Sequence, residues 1–341
     1  MANTIQVGIL GLGRVGASFG MALKRYNAGK GAAQQFQVTA FDTSESRTAS
    51  AKRKGAFDAQ ARHLADAARD KDLIILAMPY AETQAVYREL GGAVRPGSVI
   101  LDLSPYKLPS SEWAVKHLKP DVFMVGAAAI LNPAYLFDGL DDTDHAAADL
   151  FDKGALLIMP TVQAEPAAVE LVSDLAALIG TTPRFADPIE YDGWAAATEG
   201  LPLALGVAAF YSLTRAGTWR DVQRQGNPNF GRLIHHLYDT HPDDLRDLLL
   251  NNRAALIRQI DQMQEALGAL RDLLAKPDRD GLEALLGKTT DDAVLWVVNR
   301  RDDRWEPNDA PKIDTGSIAT NLFLGGALGK RLRGDKENGK N

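Results

Sequence analysis

The sequence predicts an α/β chain: an N-terminal doubly wound domain built on a mostly parallel sheet, then an all-α C-terminal domain. Three observations predict it. Over the first 160 or so residues, short apolar runs alternate with amphipathic stretches, which is the rhythm of βαβ units. A glycine-rich turn stands directly behind the first of those runs. Beyond Pro160 the alternation fades and long stretches take on helical periodicity. At 341 residues there is chain enough for two domains, each with a core of its own.

In order, the expected strands are 5–10, 37–41, 73–77, 99–103, 122–125 and 156–159, several of them nearly unbroken Val, Ile and Leu. Such runs suit strands covered by helices on both faces. Residues 165–179 read as one more helix and 182–185 as a last strand. A long apolar segment follows at 189–213, then an amphipathic stretch at 243–274. Pro277, Asp278 and Gly281 are expected to break that helix, with 283–286 resuming briefly and the chain turning irregular from Thr289. The apolar run 318–328 is expected to dock as a terminal helix, and the polar tail 334–341 to be disordered. Domain boundaries follow at 1–186, 187–290 and 291–341.

The turn Gly11-Leu12-Gly13-Arg14-Val15-Gly16 lies between the first strand and the helical pattern 17–25. Gly11 would permit the tight turn, Gly13 the approach of a pyrophosphate, and Gly16 the close packing of helix on strand, the arrangement of a Rossmann-type dinucleotide site. The second strand ends at Phe41-Asp42, where a carboxylate would accept from the adenosine ribose. Asp42 favours NAD, with NADP the alternative because Arg47 lies close by. The Gly- and Ala-rich stretch 27–35, a surface insertion on this reading, lengthens the spacing from the glycines to Asp42.

Composition narrows the partners. A net charge of -6 and a pI near 5.6 argue against nucleic acid. The absence of cysteine excludes disulfides and thiolate chemistry and suits the cytoplasm. The run 201–213 is too short to span a bilayer, and the N-terminus lacks a signal pattern, so no membrane role is expected. No metal site is expected; Asp141, Asp142 and Asp144 read as a solvated loop.

Several segments together resemble the prephenate and arogenate dehydrogenases of tyrosine biosynthesis over roughly residues 5–290. Asp72 to Pro79 looks like that family's strand ending in a proline on the nicotinamide side, which brings Met78 and Pro79 to the cofactor. Asp102-Leu103-Ser104-Pro105-Tyr106-Lys107 is similar to its segment running from an aspartate through a serine to a lysine. Leu136-Phe137-Asp138-Gly139, Leu157-Ile158-Met159-Pro160 and Asp187 to Asp192 follow in the family's order. Trp219 to Arg224 is similar to its aromatic-Arg-Asp segment, which implies that Arg224, with Arg220 beside it, grips a substrate carboxylate; a planar guanidinium is suited to that task.

The resemblance implies an NAD(P)-dependent dehydrogenase for a small carboxylate, with a helical domain that substrate and a homodimer partner share. Three family histidines are replaced here. Ala128, or Asn132 of Asn132-Pro133, stands at the first, Tyr191-Asp192 at the second, and Glu199-Gly200-Leu201-Pro202 at the third. Tyr191, Glu199 and Lys107 become the candidate proton-transfer groups, with Ser104 lining the site. Of the six histidines present, His235 and His236 are the adjacent pair. Two other readings stay open: a dehydrogenase or reductase of this architecture for another small carboxylate, or a catalytically impaired NAD(P)-binding sensor or subunit.

Overall fold

The computed structural model describes residues 3–29 and 34–303. They divide into two compact units, one ending at Tyr191 and one beginning at Asp192.

The first unit contains β1 (Asn3–Leu10), α1 (Arg14–Asn27), β2 (Gln34–Phe41), α2 (Glu45–Arg53), β3 (Ala59–Gln60), α3 (Leu64–Ala68), β4 (Leu73–Leu76), α4 (Tyr80–Ala93), β5 (Val99–Asp102), α5 (Lys107–His117), β6 (Phe123–Ile130), β7 (Ala155–Pro160), α6 (Pro166–Leu178) and β8 (Thr182–Phe185). The strands form one sheet in the order β3-β2-β1-β4-β5-β6-β7-β8. Every pairing is parallel except β6 with β7, where Val125 faces Pro160 and Ile130 faces Ala155. The order reverses between β1 and β4, the crevice where doubly wound sheets bind their ligands.

Alternation along each strand explains the two-sided cover. In β4, Leu73 and Ile75 join a core with Val7, Ile9, Phe19 and Val38, while Ile74 and Leu76 join another with Leu10, Val86, Tyr87 and Leu90. All four β4 side chains are fully buried, each contributing at most about 1.5–3 kcal/mol by removal from water. β6 runs five residues beyond the expected end at Val125, through Gly126, Ala127, Ala128 and Ala129 to Ile130. Small residues carry little strand signal, and the pairing with β7 decides the matter. The connection leaves β6 and enters β7 at the same end of the sheet, which makes β7 antiparallel.

The second unit is helical: the C-terminal end of α7 (Pro188–Ala195), then α8 (Leu201–Arg215), α9 (Trp219–Val222), α10 (Pro228–Ile234), α11 (His236–Asp239), α12 (Pro242–Asn251), α13 (Arg253–Ala275) and α14 (Arg279–Asp302). α7 and α8 are joined by a π-helical turn, Ala196–Gly200, into one run. A Cβ at Gly206 would lie 2.6 Å from the Leu233 carbonyl oxygen, so α8 and α10 touch backbone to backbone. Phe210 lies against Trp219 and Phe230 at ring-centroid distances of 5.6 and 6.4 Å.

Three expectations are corrected here. The stretch 243–274 is two helices, broken at Asn252, whose side chain donates to the Asp192 carbonyl at 2.6 Å. The brief helix at 283–286 and the irregular chain from Thr289 are in fact one helix of 24 residues. Asp278, read as a breaker, is its N-cap and accepts from the Gly281 amide at 2.9 Å. The third concerns a membrane. The 28-residue run Pro188–Arg215 is long and apolar enough to cross one by length and composition. Pro202 lies in the first turn of α8, where proline is tolerated. The run packs on α10 and α13, and 22% of its most apolar window is buried. Residues 30–33 of the 27–35 insertion, the run 318–328 and the tail 334–341 lie outside the described residues; at the insertion's base, Asn27 exchanges two hydrogen bonds with the Phe36 backbone, at 2.7 and 2.9 Å.

Candidate dinucleotide site

The site begins at the C-terminal end of β1. Gly11 has φ +96°, its amide donates to the Phe41 carbonyl at 2.8 Å, and a Cβ there would lie 2.1 Å from the Ala77 carbonyl oxygen. A side chain is therefore excluded by conformation and by space. At Gly16 a Cβ would lie 2.0 Å from the Gly11 carbonyl oxygen, so the first turn of α1 rests on the glycine turn itself. Gly13 differs: nothing lies within 4 Å of its would-be Cβ. No protein atom requires glycine at this position. Its open face, at the uncapped N-terminus of α1 with no acidic residue in the first turn, is a cradle of the kind a pyrophosphate fills.

Asp42 follows β2. One carboxylate oxygen accepts from the Leu12 amide at 2.7 Å and the other from the Ser44 amide at 2.7 Å. The carboxylate is thus fixed beside the glycine turn, with lone pairs remaining for ribose hydroxyls. Arg47 is exposed on α2. Met78, buried, and Pro79 form the turn between β4 and α4, next to the same crevice.

The Arg14 side chain faces protein. It is 3% exposed and forms a two-pronged ion pair with Asp138, at 3.0 and 2.6 Å. It also donates to the carbonyls of His145 and Leu140 and lies 5.2 Å from the Tyr135 ring centroid. The guanidinium is committed to protein, and the Arg14 backbone lies at the start of α1. The Arg14 hydrogen bonds hold the Asp138 carboxyl below its ordinary value. Thr143 Oγ1 donates to the Leu12 carbonyl at 2.6 Å, and the Ala147 amide donates to Ser18 Oγ at 3.0 Å. The β6–β7 connection is thereby stitched across the glycine turn, a feature the sequence reading missed. Its one local trace was an arginine inside a glycine turn.

At the end of β5, Asp102 is fully buried and accepts from Tyr87 Oη at 2.5 Å and the Ser104 amide at 2.6 Å. Burial, then the Asp102 charge, pushes the Tyr87 hydroxyl well up. Lys107, 1% exposed, donates to the carbonyls of Ala127 at 2.7 Å, Asp102 at 3.2 Å and Ser104. These hydrogen bonds fix the end of the Lys107 side chain behind β5. Its Nζ lies 5.5 Å from the centroid of the Tyr191 ring. Ser104 is buried in the same turn.

Neither residue at the first family histidine is placed for proton transfer. Ala128 has no functional group, and Asn132 caps the next turn, accepting from Ala134 N at 3.0 Å and donating to Asp149 O at 3.0 Å. In the second unit Glu199 lies exposed in the π-helical turn, and Arg220 and Arg224 are exposed at and just beyond α9. The His235 and His236 rings lie tilted at 52° to each other with centroids 3.8 Å apart, and burial lowers the His236 value. Among the described residues no group of three or more His, Cys, Asp or Glu is arranged to hold a metal.

A glycine turn of this geometry, on a sheet whose first six strands follow the order 3-2-1-4-5-6, defines the class: a Rossmann-type, nicotinamide-dinucleotide-dependent dehydrogenase. Residues 20–182 match the family described as prephenate dehydrogenase, nucleotide-binding domain. Prephenate dehydrogenase of Bacillus subtilis is 22% identical over 279 residues, covering 80% of this chain and 71% of that one. Cyclohexadienyl dehydrogenase of Zymomonas mobilis is 23% identical over 291 residues, covering 81% and 90%. Prephenate dehydrogenase from A. aeolicus, crystallised with hydroxyphenyl propionate and NAD+, has the same fold at a TM-score of 0.70 and 17% identity, over 85% of this chain and 98% of that one. Over its nucleotide-binding part, the chain is similar to the prephenate dehydrogenase family.

Proposed function

We propose that this protein oxidises prephenate or arogenate with NAD in tyrosine biosynthesis, releasing the ring carboxylate as carbon dioxide. The observation that carries the reading is the open face of Gly13 beside the fixed Asp42 carboxylate, within a domain similar to that family's. The residues fit NAD. Gly11, Leu12, Gly13, Arg14, Val15 and Gly16 would hold its pyrophosphate by backbone, Asp42 its adenosine ribose, and Met78 and Pro79 would flank its nicotinamide; when bound, NAD supplies the hydride acceptor.

The chain's own residues must then orient the substrate and take its hydroxyl proton. Arg224, supported by Arg220, anchors a substrate carboxylate, because an exposed guanidinium can form two parallel charge-assisted bonds with it. Ser104 and Lys107 shape the turn behind β5, and Tyr191, Glu199 and Lys107 are the candidate proton-transfer groups. We place the reaction in the cytoplasm. We take the active species to be a homodimer formed through the helical unit, where Leu274, Leu285, Val294, Leu295 and Trp296 are exposed. The domain limits keep their sequence-based roles, 1–186 for nucleotide and 187–290 for substrate and dimerisation; the boundary at 290 falls inside α14. Fluorescence titration with NADH and NADPH tests the cofactor, with tighter NADH binding expected, and NADH formation with each substrate tests the reaction.

A further inference from the structure

The connection between β6 and β7, residues 131–154, lies outside the glycine motif, yet it holds that motif from a distance in sequence. Thr143 opens a 3₁₀ turn and is 3% exposed, and its Oγ1 donates to the Leu12 carbonyl at 2.6 Å. The Arg14 guanidinium reaches the other way, from the first residue of α1 to Asp138 and to the carbonyls of Leu140 and His145. One turn further along α1, Ser18 Oγ accepts from the Ala147 amide at 3.0 Å. The same connection is tied to α2, where Ser50 donates to Asp144 and Lys54 to the Ala146 carbonyl at 3.2 Å.

Leu12 is thereby held at both of its backbone polar groups: its amide donates to Asp42 at 2.7 Å, and its carbonyl accepts from Thr143. A peptide unit turns as one rigid plane, and in the trans form its N–H points opposite to its C=O. With the Leu12 oxygen held under Thr143, the Gly13 N–H is turned away from the β6–β7 connection. The reversed plane would put a carbonyl oxygen, the negative end of the peptide dipole, where the N–H now stands. Gly13 has no Cβ to oppose that reversal, so its own chemistry does not select the orientation that suits an anion. The buried Thr143 hydroxyl does.

We propose that Thr143 is a positioning residue for the dinucleotide: by holding the Leu12 carbonyl, it keeps the Leu12–Gly13 peptide in the orientation that favours a pyrophosphate. Arg14 and Asp138 anchor the segment that carries it. The inference rests on the reading of the glycine turn as a dinucleotide site. A hydroxyl 131 residues from Leu12 in sequence thus raises affinity without touching the ligand.

The test is Thr143→Val in the full chain, which keeps the side-chain shape and removes the donor, with Thr143→Ser as the rescue and Thr181→Val as a matched control. Thr181 is likewise buried, and its Oγ1 donates to the Ala176 carbonyl at 2.8 Å, but it precedes β8 at the far edge of the sheet. Both valine variants should melt a similar few degrees below wild type, since each loses one buried hydrogen bond. Only Thr143→Val should bind NADH more weakly, by about fivefold or more in fluorescence titration, with Thr143→Ser within about twofold of wild type. Displacement of NADH should show the same loss for ADP-ribose, which carries the pyrophosphate, and a change within about twofold for adenosine, which lacks it. An NADH dissociation constant for Thr143→Val within twofold of wild type overturns the proposal, as does an equal loss in Thr181→Val or an equal loss for adenosine. Wild type that binds no NADH removes the dinucleotide reading itself, whereas wild type that binds while Thr143→Val binds equally well removes only the role given to Thr143.

Discussion

At the residue scale, Gly13 and Gly16 of the first turn make opposite predictions although they share one motif. Gly13→Ala should melt within about 2 °C of wild type, since its Cβ meets no protein atom, yet bind NADH at least about tenfold more weakly because the methyl enters the cradle. Gly16→Ala should lose stability, because its Cβ would lie 2.0 Å from a backbone oxygen. Thermal melts with NADH titration of both variants check the pair; equal behaviour would contradict the assignment of Gly13 to ligand. Arg14→Met should destabilise the first unit by about 3 kcal/mol, read by urea denaturation, since it leaves the Asp138 carboxylate without its ion pair. Because Asp138 titrates below its ordinary value, the pair's stabilisation is present at neutral pH and is lost as pH falls through that lowered value; in Arg14→Met this acid-side loss should shrink. The glycine roles were legible because six consecutive residues carry them. Asp138 was not legible as Arg14's partner, since 124 residues separate them and neither residue type names the other.

At the scale of elements, strands with unbroken branched residues were legible, as at β4, where two-sided burial demands them. β6 was not: its alanines have no strand preference, and its limits come from β7. α14 escaped for a related reason, since Asp278 can end one helix or cap the next and only the following turns decide. α6 carries a prediction of its own. Burial, with Glu170 four residues away, raises the Asp174 carboxyl to about 6. The folded state holds this proton more tightly than the unfolded chain, so the contribution is present at acid pH and is lost as pH rises through about 6. About two units set a ceiling near 3 kcal/mol, and partial exposure reduces it to roughly 1 kcal/mol. Asp174→Asn should therefore match wild type near pH 4 and exceed its stability by about that amount at pH 7, as read from urea midpoints.

At the scale of the whole molecule, the first unit buries its apolar surface in two sheet-bounded cores, while among the described residues the second leaves much of α13 and α14 uncovered. If these helices meet a second copy, Leu295→Glu should shift the protein toward monomer by light scattering at micromolar concentration while leaving NADH affinity unchanged. The candidate site was half legible from sequence. The cofactor half is local to one turn, whereas the proton-transfer half depends on which side chains folding brings together, as it brings Lys107 to the Tyr191 ring. The most direct measurement is NADH formation from NAD+ with prephenate and with arogenate, alongside NADH binding to the same sample. The account predicts binding together with turnover of at least one substrate. Binding without turnover of either would contradict the reaction, and the absence of binding would contradict the dinucleotide site at Gly13.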